Sequence, residues 1–320
     1  MATATDQTLS AAGRPRRRRS QGLLARIVRH RHDYLYILPA LIVMFVVIGY
    51  PVYYVIELSF YKTPPSLAMS DKIFVGLENY QRILAARSFH EVTVNTIIWT
   101  VASTFFAFVL GFGAALCLDR AFFLRGPMRG ILLVPFVISA VAGSFVWRWM
   151  YNSDIGVIGA ILVQLGNTDR PLNFLDNTQT VLASLIVVNV WREFPFAMIM
   201  MLAGLQTVPD ELHRAAKMDG ASVIQRFWNI TLPHLKSVTL ITVLLLTVNN
   251  LNSFIIPWIM TGGGPAGASD IWITAIYQLA FGRVRFGVAS AYSVILFLVM
   301  MVLGYYYVRA MTRGDDRRPE

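Results

Sequence analysis

Six stretches of the 320-residue chain, at about 34–60, 92–118, 130–151, 181–205, 236–259 and 288–309, are predominantly apolar and close to twenty residues or longer. A helix of about 20 residues crosses a hydrocarbon core roughly 30 Å thick. Six such runs in one chain predict an all-α membrane protein with six transmembrane helices. Composition agrees, because only 14% of the residues are charged and 56% are hydrophobic, whereas soluble domains carry about a quarter charged residues.

The first run comes after Arg16–Arg19, as a secretory signal would. Its length and the lack of a small-residue cleavage site after it predict a retained anchor instead. Orientation comes from the basic residues of the connections. With the N-terminus inside, inside segments hold nineteen Lys and Arg against seven outside. Both termini are therefore expected in the cytoplasm, and much of the net charge of +10 is topological. Residues 1–33 read as a basic cytoplasmic N-tail able to touch anionic headgroups, 34–310 as the six-span domain and 311–320 as a polar C-tail. The tails, about 1–25 and 311–320, lack periodicity and are expected to be disordered. Cys117, the single cysteine, excludes a disulfide framework, and its position in an apolar run gives it a packing role.

Between the fourth and fifth spans, residues 207–233 are polar and Gly-punctuated. Thr207 with Asp210 fits a capping box, Pro209 suits a first helical turn, and Gly220 stands where a left-handed C-terminal residue is wanted. Ser222 with Gln225 repeats the capping pattern, and Pro233 is expected to end the helix that they start. The pattern predicts a first short helix at about 208–218 and a second after Ser222. Ile224, Phe227 and Trp228 share one face of the second, and Leu212, Ala215 and Ala216 give the first a small flat face. Helices this short are marginal alone and need something to pack against. A loop packed only on its own spans is one reading. A DNA-binding helix-turn-helix is disfavoured, since Arg226 and Gln225 stand among Ile, Phe and Trp with little for phosphates. A docking element for a cytoplasmic partner accounts for the caps, the apolar face and the position together.

Ala215, Ala216, Asp219, Gly220, Ala221, Ile230, Leu232 and Pro233 resemble the cytoplasmic EAA loop of the membrane subunits of ABC importers. The Glu of that triplet is Arg214 here, which alters one contact of the docking face. "TGGGPAGASDIWITAIYQLAF" from Thr261, "FGVASAYSVILF" from Phe286 and "WREFPFAMIMMLAGLQTVP" from Trp191 are similar to carbohydrate-type importer permeases of the maltose, trehalose and glycerol-phosphate group. The likeness runs from about Tyr34 to Arg309. It implies a multi-pass permease subunit of the bacterial inner membrane, working with a second permease subunit, two ATPase subunits and an extracytoplasmic solute-binding protein. A heterodimer with a homologous permease is favoured. The resemblance also implies that the loop, with Glu211, Arg214, Ala215, Ala216, Asp219, Gly220, Ala221, Phe227 and Pro233, docks on an ATPase subunit.

Catalytic patterns are missing from the sequence. There is no Gly-x-x-x-x-Gly-Lys-Ser/Thr loop, and Gly262–Gly264 lacks the lysine that phosphate cradling requires. ATP and Mg are thus expected on the partner ATPase chains, with no cofactor or metal in this one. His30, His32, His90, His213 and His234 form no His-Glu-x-x-His pair, and no serine hydrolase elbow occurs. The chain reads as a transporter subunit and not an enzyme, with no nucleic-acid partner. An ion-coupled secondary sugar transporter is the alternative. Carriers of that kind place carboxylates within their spans, and here only Glu193 is deep, with Glu57 near the outer end of the first.

A rise of 1.5 Å per residue places Arg192 and Glu193 roughly 20 Å up the fourth span. Asn249, Asn250 and Asn252 on the fifth, Trp147 and Trp149 on the third, and Tyr292 and Ser293 on the sixth reach a similar level. Amides and an Arg/Glu set can bond hydroxyls, and indoles offer flat faces to sugar rings. Trp147, Arg192, Glu193, Asn249, Asn250, Asn252, Tyr292 and Ser293 are therefore the candidate substrate pathway. The competing reading makes the tryptophans an interfacial belt and the asparagines interhelical glue.

Overall fold

An apolar run in a bilayer has no water for its peptide groups, so it closes its hydrogen bonds within the segment. A computed structural model of the chain, describing residues 31–64, 72–120, 122–166 and 173–315, shows this outcome. Among the described residues, five helices are long and apolar enough to cross a membrane: Tyr36–Leu58, Arg87–Asp119, Val181–Leu205, Lys236–Thr261 and Phe286–Met311. A sixth crossing would have to be made by Arg125–Val137 and Ala140–Met150 together, which meet at 92°. The basic N-tail up to residue 30 and the last residues of the C-tail lie outside the described residues.

The chain divides into two units, Met1–Tyr54 and Val55–Glu320. Helix α1 (Arg31–Met44) of the first unit continues through a π turn at Phe45–Gly49 into Tyr50–Leu58, whose last four residues belong to the second unit. Pro51 lacks an N–H and its ring crowds the carbonyl four residues back. The wider turn just ahead of it, closed by the Tyr50 N–H on the Phe45 carbonyl, lets the helix continue.

The second unit opens with a two-stranded antiparallel ladder, β1 (Tyr61–Lys62) on β2 (Ile73–Phe74), with Tyr61 opposite Phe74. This corrects the expectation of an all-α chain in one detail: the connection has no helical periodicity, and the Tyr61 and Phe74 rings meet edge-on at 5.4 Å. Next along the chain are α2 (Glu78–Ala85), α3 (Arg87–Asp119), α4 (Arg125–Val137), α5 (Ala140–Met150), α6 (Val157–Gln164), α7 (Val181–Leu205), α8 (Asp210–Met218) and α9 (Val223–Arg226). After these come α10 (Lys236–Leu251), α11 (Ile255–Thr261), α12 (Trp272–Tyr277) and α13 (Phe286–Asp315). Helix α13 carries past Arg309 into the region expected to be disordered.

The run read as one span at 130–151 is broken. Ile138 and Ser139 are extended, with ψ of 135° and 133°, and α5 starts anew as the Gly143 N–H bonds the Ser139 carbonyl. Pro135 and the β-branched residues around it weaken the helix just before the break.

Helix α7 lies at the centre, burying Leu185, Val188, Asn189, Glu193, Ala197 and Met201. Its approach to α3 depends on Gly111, where a Cβ would stand 2.6 Å from both the Ala197 Cβ and the Phe194 carbonyl oxygen. Small residues at such a crossing let two backbones pack closely in a membrane. One buried cluster joins Trp99, Tyr151, Leu185, Val188, Ile256 and Met260; another joins Phe89, Trp272, Tyr292 and Leu296. A third brings Leu118, Met201, Leu205 and Leu235 together with Leu132 and Leu133 of α4. Cys117, expected to pack, is exposed on α3, because Ala115 and Leu118 take the inward positions.

Candidate coupling element and polar cavity

Residues 207–233 form two short helical pieces joined at Gly220. Asp210 and Glu211 stand in the first turn of α8 and Lys217 in its last, each matching the sign of the helix dipole. Gly220 has φ of +79°, and the Ala221 N–H bonds the Ala216 carbonyl at 2.9 Å across the turn. A Cβ at Gly220 would meet nothing within 4 Å, so the requirement for glycine is conformational and not steric crowding. The Ser222 Oγ accepts from the Gln225 N–H, and the Gln225 Oε1 accepts from the Ser222 N–H, which completes the expected capping box.

Two local expectations are corrected. Thr207 does not cap α8: its hydroxyl donates to the Gly204 carbonyl at 2.7 Å, closing the end of α7, and the capping position belongs to Pro209. Pro233 does not end the second helix. A π turn at Phe227–Thr231 extends α9, and Pro233 lies in the first turn of the next helical piece, Leu232–His234, where its missing N–H costs little.

The element is held on one side and open on the other. Phe227 stacks on Phe112 of α3, Thr231 is buried, and the fully buried Leu235 packs where a side chain at Gly204 would collide with it. Leu212, Met218, Ile224 and Trp228 are exposed. Glu211, Arg214, Ala215, Asp219 and Pro233 are exposed as well, while Ala216 and Ala221 are half-buried.

Four of the polar residues read at one depth line a single cavity of about 410 Å³: Arg192, Glu193, Asn249 and Asn252, with Phe136 and Phe196 in its wall. Glu193 is buried, and neither its Oε2 nor the Nε of Arg192 meets a partner among the described residues. Asn252 Nδ2 donates to the Val248 carbonyl at 2.9 Å and approaches the Met300 sulfur at 3.7 Å. The phenyl rings of Phe136 and Phe196 stack at 6.0 Å.

The other candidates do not line this cavity. Asn250 is fully buried; it accepts from Asn189 Nδ2 at 2.6 Å and donates to the Thr104 hydroxyl at 3.1 Å, while its carbonyl takes the Trp99 indole N–H. Trp147 meets Trp191 edge-on at 5.5 Å and Tyr151 at 5.6 Å, and Trp149 is exposed. Tyr292 packs edge-on against Phe89 at 5.4 Å, and the Ser293 hydroxyl donates to the Ala289 carbonyl. Sequence reasoning missed Asn189, although it stands four residues before Glu193, one turn away on the same helix.

Tyr292 instead borders a second cavity of about 650 Å³ with Lys62, Arg82, Asp270, Arg283 and Arg285. Burial pushes the Asp270 carboxyl up to about 6, opposed by hydrogen bonds from Thr274 and Gln278 and by the charge of Arg283. Gln278 Nε2 also donates to the Gly262 carbonyl at 2.9 Å, tying the glycine-rich loop to Asp270. Gly263, at φ of +89°, passes so close that a Cβ would overlap the Asp270 carboxylate. Among the described residues, no group of three or more His, Cys, Asp or Glu could hold a metal ion.

The sequence profile of a family described as "binding-protein-dependent transport system inner membrane component" matches residues 107–313. The chain is 36% identical over 279 residues to the trehalose/maltose transport system permease protein MalF of Thermococcus litoralis, covering 86% of this chain and 92% of that one. It is 34% identical over 283 residues to a probable ABC transporter permease protein of Brucella suis, covering 88% and 97%. It is also 31% identical over 284 residues to the sulfoquinovosyl glycerol transport system permease protein SmoG of Agrobacterium fabrum, covering 88% and 90%. The fold is similar to that in the crystal structure of a bacterial ABC transporter involved in import of the acidic polysaccharide alginate, with a TM-score of 0.77 at 22% identity over 91% of this chain and 98% of that one.

Proposed function

The chain belongs to the binding-protein-dependent transport system inner membrane components, and we propose that it forms one half of the translocation pathway for a sugar or polyol derivative. It is a membrane permease subunit of an ABC importer and not an enzyme. In this reading both termini face the cytoplasm, and the bent pair α4 and α5 completes six crossings. A homologous permease supplies the other half of the pathway. Two ATPase subunits bind ATP and Mg, and an extracytoplasmic binding protein delivers the solute.

The observation that carries the reading is the element at 207–233. It is capped, fixed to α3 through Phe227 and Phe112, and turns Leu212, Ile224 and Trp228 outward. Apolar groups displayed on so short a helical pair fit a docking cleft. ATP-driven closure of the ATPase subunits would move this element, tilt α3, and open the cavity at Arg192, Glu193, Asn249 and Asn252 to alternate sides. Arg192 and the asparagines supply donors for hydroxyl groups.

Reconstitution of the chain with its partner subunits into vesicles tests the proposal. ATP enclosed with the ATPase subunits is expected to drive uptake of a sugar presented by the binding protein, with no ion gradient present. Uptake that depends on a proton or sodium gradient and ignores ATP would favour the ion-coupled carrier, with Glu193 as its ion site.

A further inference from the structure

Two arginines near the cluster formed by Leu118, Leu205 and Leu235 carry enclosed donors that meet no partner among the described residues. Arg125 and Arg129 stand one turn apart on α4, and the next turn of that helix carries Leu132 and Leu133, which pack into the cluster. The Nε–H of Arg125 and the Nε–H and Nη2–H of Arg129 are enclosed and meet no acceptor among the described residues. A guanidinium keeps its charge at any physiological pH, and its planar fork of donors matches an oxyanion.

The surroundings narrow the choice of oxyanion. Phe123 is 99% exposed, and Leu124, Met128 and Ile131 are exposed beside it. A free phosphate would satisfy the arginines and leave these side chains in water. An amphiphile satisfies both, because aromatic and aliphatic side chains beside arginines suit the boundary between headgroups and acyl chains.

We propose that Arg125 and Arg129 bind the headgroup phosphate of an anionic phospholipid, with Phe123 inserted among its acyl chains. None of Arg125, Arg129 and Phe123 lines the polar cavity. Through Leu132 and Leu133 it adjoins the cluster containing Leu205 and Leu235, the two ends from which the coupling element leaves the membrane domain. Bound lipid would thus brace the base of that element. The inference requires only that the chain lies in a bilayer, so its failure is distinct from failure of the transport reading.

Native mass spectrometry of the intact, delipidated complex titrated with phosphatidylglycerol or phosphatidylcholine tests it. The unaltered complex is expected to retain phosphatidylglycerol at about tenfold lower concentration, because the choline cation of phosphatidylcholine offsets the phosphate charge beside the two arginines. Arg125→Gln with Arg129→Gln is expected to abolish that preference. Phe123→Ser is expected to weaken retention of both lipids while the preference between them persists, so the proposal stays testable if the double variant fails to fold. Equal retention of the two lipids by the unaltered complex, or an unchanged preference in the double variant, overturns the proposal. So does full displacement of phosphatidylglycerol by millimolar inorganic phosphate, which would mark a free-anion site. Loss of a partner subunit from the double variant with lipid preference intact would assign the arginines to a protein contact and likewise overturn it.

Discussion

Phe227 lies against Phe112 with ring centroids 6.0 Å apart and planes inclined by 28°, so the π turn of the coupling element rests on a membrane-spanning helix. Phe112 also stacks on Phe108 at 5.8 Å, extending the contact one turn further along α3. A push on the element has a rigid aromatic route into the span. Phe227→Ala removes a stacked pair of about 0.5 to 1.5 kcal/mol beyond its buried area. Transport is expected to fall while the ATPase subunits still co-purify. Parallel assays of uptake and subunit retention check this, and loss of both together would make Phe227 a docking contact instead of a transmission contact.

Gly220 is expected to tolerate no β-branched residue. With φ of +79°, Gly220→Val strains the turn by about 1 to 2 kcal/mol, whereas Ser222→Ala removes a cap worth about 1 kcal/mol. Both are expected to reach the membrane in normal amount and to lower uptake, Gly220→Val more. Membrane immunoblots alongside uptake rates measure the two effects, and normal uptake by Gly220→Val would contradict the conformational role.

The asparagines of α10 are expected to divide by direction. Asn250→Ala leaves the buried Asn189 amide and Thr104 hydroxyl short of partners, a loss of about 1 to 3 kcal/mol. It is expected to lower the yield of assembled complex with sugar preference unchanged. Arg192→Ala and Asn252→Ala, in the cavity, are expected to change relative uptake among competing sugars with yield largely kept. The reverse pattern would exchange the two roles.

This division shows where sequence reading stops. Counting residues along a helix gives depth but not direction, and Asn249 and Asn252, three apart, share a face that Asn250 is turned about 100° away from. The two-helix form of residues 207–233 was legible because caps and left-handed glycines are local chemistry, as Ser222, Gln225 and Gly220 show. Thr207 misled for the same reason: its hydroxyl had two nearby uses, and the end of α7 took it. The break at Ile138 and Ser139 was hidden because the run on both sides is apolar, and only its packing distinguishes a bent pair from a straight span. Helix existence was otherwise set by hydrophobic length, which a single sequence carries in full.

The glycine-rich loop is expected to be pH-sensitive. Because the Asp270 carboxyl is pushed up to about 6 in the folded loop, against about 3.9 when unfolded, the folded state binds more protons between those values. Its stabilisation is full below pH of about 4 and is lost as pH rises through about 6. Hydrogen exchange over 262–274, corrected for intrinsic rates, is expected to be faster at pH 7.5 than at pH 5. Asp270→Asn is expected to flatten the difference, and an opposite slope would contradict the assignment.

Site-directed cross-linking tests the central claim most directly, and the single native cysteine makes it tractable. In a Cys117→Ser background, Ala216→Cys on the coupling element is paired with cysteines placed around the cleft of the ATPase subunit. A cross-link whose yield changes when ATP is added, together with ATP-dependent uptake before cross-linking and its loss afterwards, is the predicted result. No cross-link to the ATPase subunit from Ala216→Cys or from Ile224→Cys, in a complex that still transports, would contradict the account.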